Sequence, residues 1–174
     1  MAFDREEFLN VVEDSYSAYY NIIKENLPQK LPMCFRADYF KREERYLLMK
    51  SARYYGNEMN EYVYLFSDVS FDRSMVDACI RFALEDGLPR VKPHKEHQFT
   101  NIKTVFLADH FDEEALKEIK NRRFRKSYGF LSLEGYSDLI TTAVDVKEEA
   151  IWTNPAGRDM KKYFTKLFSA QKKK

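Results

Sequence analysis

Glycine is scarce in this chain, and that scarcity excludes the phosphate-cradling loops first. Five occur in 174 residues, at positions 56, 87, 129, 135 and 157. No two stand where a dinucleotide fingerprint or a P-loop would need them for close backbone approach to phosphate. Cysteine is scarcer still. Cys34 falls in a strand-like run and Cys79 on the apolar face of a helix. Two such thiols make no disulfide scaffold and read as free and buried in a reducing compartment.

Of the three histidines, His94 and His97 lie between Pro89 and Thr100, a stretch with a second proline at 93 and no period. A loop there offers no recognised zinc spacing, and His110 stands apart, so neither a metal nor any other cofactor is implied. Pairing Cys34 or Cys79 with one of these imidazoles as a nucleophile has no framing motif either. No apolar run approaches the roughly 20 residues that span a bilayer. The opening MAFDREEF is acidic and lacks the apolar stretch of a signal peptide. The expectation is a soluble cytoplasmic protein with no membrane partner.

Aromatic residues are plentiful. Twelve Tyr and fourteen Phe stand against the single Trp152, and 44% of the chain is apolar, enough for one domain with a real core. The expected domain is residues 1–170, with 171–174 a disordered basic tail. The net charge of +1 conceals an asymmetry: residues 1–88 carry 11 Lys/Arg against 16 Asp/Glu, and residues 89–174 carry 18 against 12.

Asp4 with Glu7 predicts a helix start, and Phe8, Val11, Val12, Tyr16, Tyr19 and Ile23 mark one face of a helix to about Asn26. Strand-like runs follow at Met33–Phe40, Arg45–Arg53 and Glu61–Phe66, with turns at Lys41–Glu44 and Gly56–Asn57. The third is apolar on both faces, as a central strand is. Met75, Val76, Cys79, Ile80 and Ala83 predict a helix stopped by Gly87. Ile102–Ala108 reads as a strand, and Asp112 heads a helix facing inward through Ala115, Leu116 and Ile119. Phe124–Leu131 alternates like a strand, and Gly135 precedes another through Ile140, Thr142, Val144 and Val146. Asn154–Pro155 predicts the start of a last helix bearing Met160, Tyr163, Phe164, Leu167 and Phe168. The order α-βββ-α-β-α-ββ(β)-α implies an α+β fold, a mixed and largely antiparallel sheet covered by helices. One core is expected to gather Phe8, Val12, Tyr64, Phe66, Val76, Ile80, Val105, Leu107, Leu116, Val144, Phe164 and Leu167.

The first two-thirds of that order resembles the restriction-endonuclease-like topology, whose chemistry needs an acid on one strand and an acid-x-Lys on its neighbour. Glu118–Lys120 and Asp159–Lys161 fall in helices. Asp145–Lys147 lies on a strand outside the meander, roughly 23 Å along the chain from Asp138 at about 3.3 Å per residue. The run Lys120–Tyr128 interleaves basic and aromatic residues. Arg122, Arg123, Arg125 and Lys126, joined by Arg158, Lys161 and Lys162 of the last helix, are the candidate nucleic-acid-binding residues. Strand alternation alone would also account for that run, with Phe124 and Tyr128 inside and arginines outside.

NEYVYLF at 60–66, PHKEHQFT at 93–100, KSYGFLSLEGY at 126–136 and TNPAGR at 153–158 together resemble a family of uncharacterised bacterial proteins, a domain of unknown function. The resemblance brings no active-site residues with it. The leading reading is therefore a domain that acts by binding, without catalysis, with a homo-oligomer among the states open to it. The alternative is a nucleic-acid-associated protein, an active or degenerate nuclease. A third reading assembles an enzyme site from scattered Tyr, His and acidic residues. The residue pattern names no ligand or partner.

Overall fold

In the computed structural model, residues 3–45 and 55–173 are described. Helix α1 (Arg5–Ser17) opens on Asp4, whose carboxylate accepts from the amides of Glu6 and Glu7 at 3.0 Å each. It buries Phe8, Val12 and Tyr16. The helix ends earlier than the periodicity predicts. Asn21–Ile23 leaves it as strand β1, antiparallel to Arg36–Asp38, where the β-branched Ile22 and Ile23 fit a pleated edge.

Strands β2 (Met33–Arg45) and β3 (Tyr55–Phe71) form one long antiparallel ribbon, with Ala37 opposite Val63 and Lys41 opposite Met59. The turns expected at Lys41–Glu44 and Gly56–Asn57 are strand instead. Their charges sit where the ribbon runs past the core, tied down by pairs such as Arg42 to Glu96 at 2.9 Å. Most of the expected strand Arg45–Arg53 lies outside the described residues.

Two parallel crossovers follow. Helix α2 (Arg73–Gly87) joins β3 to β4 (His97–Phe111), and α3 (Glu113–Asn121) leads towards β6 (Tyr136–Asp145). Asp72 caps α2 by accepting from the Met75 amide at 2.8 Å. Between α3 and β6 only Arg125–Ser127 forms a strand, β5. The predicted continuation to Leu131 bends into a one-turn 3₁₀ segment at Phe130–Ser132. Strand β7 (Ala150–Thr153), a 3₁₀ turn at Pro155–Gly157 and helix α4 (Arg158–Gln171) complete the fold.

The seven-stranded sheet has the order β1-β2-β3-β4-β6-β5, with β7 also on β6. It is α+β and mixed, with four antiparallel pairings and two parallel ones. The core is two cores. Phe8, Val12, Val105, Leu107, Val144 and Phe164 pack between the sheet and α1 with α4. Tyr64, Phe66, Val76 and Ile80 pack on the opposite face with α2 and α3. Successive side chains of a strand point to opposite faces, so one apolar run such as Tyr62–Phe66 serves both layers. Leu116 and Leu167 are only half-buried. Among the described residues no helix is long and apolar enough to cross a membrane.

Candidate functional site

A charged pair interrupts the α1/α4 face of the sheet. Glu61 on β3 and Lys103 on β4 occupy the alternation that otherwise presents Val63, Leu65, Val105 and Leu107. Lys103 Nζ lies 2.6 Å from Glu61 Oε2, with only 12% and 18% of the two side chains exposed. The Tyr20 hydroxyl donates to the same carboxylate oxygen.

The C-terminal end of α1 and the first turns of α4 wall this floor into a cavity of about 420 Å³, lined also by Ser15, Tyr16, Tyr19, Asp159, Met160 and Tyr163. Its tyrosines touch edge to face or tilted, Tyr16 to Tyr20 at 5.0 Å and Tyr16 to Tyr163 at 5.6 Å, and Tyr20 leans outside the cavity on Tyr39 at 5.2 Å. The Tyr163 hydroxyl is shielded from water, with Ser15 nearby but no partner in good hydrogen-bonding geometry.

Burial raises the pKa of Tyr16, Tyr20 and Tyr163 above the usual phenol range, and the Glu61 charge adds to this at Tyr20. The phenols therefore stay protonated and act as neutral donors. An ammonium carries three donors, so Lys103 retains donors beyond its bond to Glu61. Aromatic walls with a few fixed polar groups are the make-up of a small-molecule site.

The residues singled out from sequence divide differently. Arg122 is held by Asp77 and Glu118 on the α2/α3 side. Arg125 forks onto Asp138, its Nε 2.6 Å from Oδ1, and its guanidinium lies 4.4 Å from the Tyr136 ring centre. Lys126, next along β5, projects to the opposite face and leans on Tyr128. Arg123 and Arg125 share a cleft with Asn154, Pro155 and Ala156. Arg158, Lys161 and Lys162 line a separate shallow groove along α4.

His97 is buried. Its Nδ1 donates to the Glu134 carbonyl at 2.7 Å, which leaves Nε2 to accept from Thr100 at 2.9 Å. His94 contacts Glu58 at 3.0 Å, and His110 lies 3.8 Å from Asp112. Asp145 is buried and accepts from the Glu148 amide at 2.8 Å, while Lys147 pairs with Asp109 at 3.5 Å. Among the described residues no three His, Cys, Asp or Glu side chains are grouped to hold a metal ion. Burial pushes the Cys79 thiol up to about 12 and raises Cys34 as well, leaving little thiolate at neutral pH.

Sequence reasoning missed the Glu61–Lys103 floor. The signal was there, an acid and a lysine in inward-facing register on adjacent strands, but it needs the β3–β4 pairing to be seen. No curated protein and no solved structure matches the chain. Residues 4–166 match a family of proteins, and the chain belongs to it: Domain of unknown function (DUF8052).

Proposed function

We propose that this domain works by binding a small molecule, without a covalent step, in the tyrosine-lined cavity over Glu61 and Lys103. The observation that carries the reading is the desolvated Lys103–Glu61–Tyr20 cluster on the floor of an open cavity of about 420 Å³. An ion pair withdrawn from water is no better for stability than well-packed apolar side chains of the same volume. Its presence beside an accessible space supports a role in holding something there. The phenols, kept neutral, and the spare donors of Lys103 suit a planar polar ligand that offers acceptor atoms. Among the described residues that line the cavity there is no Cys, Ser–His pair or metal cluster, which favours binding over chemistry.

Titrating ¹⁵N-labelled protein with a fragment library tests this. Hits should shift the amides of Ser15–Tyr20, Glu61, Lys103 and 159–163, and Lys103→Met should remove those shifts while leaving the spectrum folded. Hits that ignore these amides, or that bind Lys103→Met equally well, would overturn it.

The alternative, nucleic-acid association, draws support from Arg123 and Arg125 beside one cleft. The ion pairs of Arg122 and Arg125 weaken it by neutralising two of the four arginines it relies on.

A further inference from the structure

The edge of β6 is broken. Strand β4 pairs with the whole length of β6 on one side, so β5 and β7 must share the other, β5 at residues 136–138 and β7 at 142–145. Between them Asn154 takes the place of the missing strand. Its amide N–H donates to the Thr141 carbonyl at 3.1 Å, and its Nδ2 donates to the carbonyls of Leu139 at 2.9 Å and Arg122 at 3.0 Å. Two carbonyls at one end of the side chain fix its orientation, since only the NH₂ group can serve both. The Oδ1 atom is thereby committed to the other direction. It is buried, on a residue 2% exposed, and has no hydrogen-bond partner.

Asn154 lines a cleft of about 310 Å³ together with Arg123 and with Phe124 and Leu139, which give it apolar surface. Arg125 and Asp138 also line it, but they neutralise each other. Arg123 is exposed and makes no ion pair or hydrogen bond among the described residues.

We propose that this cleft binds a small organic anion that also carries an N–H or O–H donor. The anionic group pairs with Arg123, where a guanidinium fork suits either a carboxylate or a phosphate. The apolar body lies on Phe124 and Leu139. The donor reaches Asn154 Oδ1, supplying the bond that a buried amide oxygen otherwise lacks. This site is separate from the tyrosine-lined cavity and does not depend on it.

The test uses the whole chain, ¹⁵N-labelled, titrated with four probes: inorganic phosphate, benzoate, 4-hydroxybenzoate and uridine 5′-monophosphate. The last two combine an anion with donors and separate the carboxylate source from the phosphate ester. At least one of them should shift the amides of Leu139 and Ala156 and the Asn154 side-chain NH₂, while those of Tyr16 and Tyr163 stay in place. Inorganic phosphate and benzoate should bind at least tenfold more weakly than the better of the two. Replacing Asn154 removes the sheet's own hydrogen bonds and risks unfolding, so Arg123→Gln, on an exposed side chain, carries the mutational arm. It should weaken binding at least tenfold. The proposal fails if neither dual probe shifts these amides at millimolar concentration, if inorganic phosphate or benzoate binds as well as the better dual probe, or if Arg123→Gln binds unchanged.

Discussion

Asp86, near the end of α2, is pulled two ways. Burial pushes its pKa up, but hydrogen bonds from Arg90 and Tyr64 and the charges of Arg90 and Arg36 outweigh that and hold the carboxyl below its ordinary range. The contacts are close: Tyr64 Oη at 2.7 Å, Arg90 Nη2 at 2.8 Å and Arg36 Nη1 at 3.2 Å. A carboxylate whose pKa is lower folded than unfolded stabilises the protein fully above the unfolded value of about 3.9, and that contribution is lost as pH falls through the folded value. Asp86→Asn should therefore be less stable than wild type at pH 7, and the gap should narrow as pH drops below about 4. Urea midpoints for both proteins at pH 7 and pH 3 check this, and a gap that stays constant contradicts it. Residues such as Asp86 and Glu61 show what one sequence hides. Each is an ordinary acid by type, and only the pairing of strands and helices decides whether its partners surround it. Phe8, Val12 and Phe164 needed no such knowledge, because their spacing alone put them inside.

The segment Gly129–Gly135 shows where periodicity misleads at the scale of an element. Phe124, Lys126, Tyr128 and Phe130 alternate as a strand would, yet the chain leaves the sheet after Ser127. Gly129 has φ +69°, and Leu131 and Ser132 follow at +53° and +59°, left-handed values that no extended strand uses. Phe130, Leu131 and Leu133 end up 80%, 78% and 69% exposed. A composition read as apolar alternation was a loop, and nothing in the residue types of 130–133 announces it.

The loop's base is fixed by His97, which donates to the Glu134 carbonyl, and by Gly135, where a Cβ would lie 2.5 Å from the His97 carbonyl oxygen. Opposite effects follow at two positions. Ser132→Gly should stabilise by about 0.5–1 kcal/mol, because left-handed backbone costs a non-glycine residue roughly 1–2 kcal/mol and glycine's extra unfolded entropy offsets only part of that relief. Gly135→Ala should destabilise by about 2 kcal/mol or more, from positive φ and the backbone clash together. Denaturant unfolding of both variants reads the two signs. If Ser132→Gly proves destabilising, the loop is not held in this conformation. Misplaced boundaries elsewhere share one cause. Ile23 extended a helical pattern, and Lys41–Glu44 looked like a turn, because each lies in a strand whose antiparallel partner, Arg36 for Ile23 and Gly56–Met59 for Lys41–Glu44, decides its conformation and cannot be read from residue type.

Over the whole molecule, the acidic first half and basic second half do not remain apart. The fold brings them together across the sheet and between helices: Glu61 meets Lys103, Asp77 meets Arg122, and in the reverse sense Arg42 meets Glu96. Arg125 is drawn to Asp138 within its own half. The seven basic residues named as nucleic-acid-binding candidates are thus divided. Arg122 and Arg125 are paired, Lys162 lies 3.4 Å from Asp159, and Lys126 points away from Arg125. Arg123, Arg158 and Lys161 are left unpaired among the described residues. Three cations neutralising three phosphates would give a slope of about −2.7 in log K against log salt on duplex DNA, at about 0.9 per phosphate. From about 0.05 to 0.15 M salt that slope costs about twentyfold, and with only three contacts to start from no micromolar affinity for duplex or single-stranded DNA or RNA is expected at about 0.15 M. Fluorescence anisotropy of labelled oligonucleotides across a salt series checks it. Micromolar binding at 0.15 M with a slope of several units, flattened by about one contact in Arg123→Ala, would reverse the ranking. The basic residues would then be the working surface, and the tyrosine-lined cavity would lose its place as the leading site.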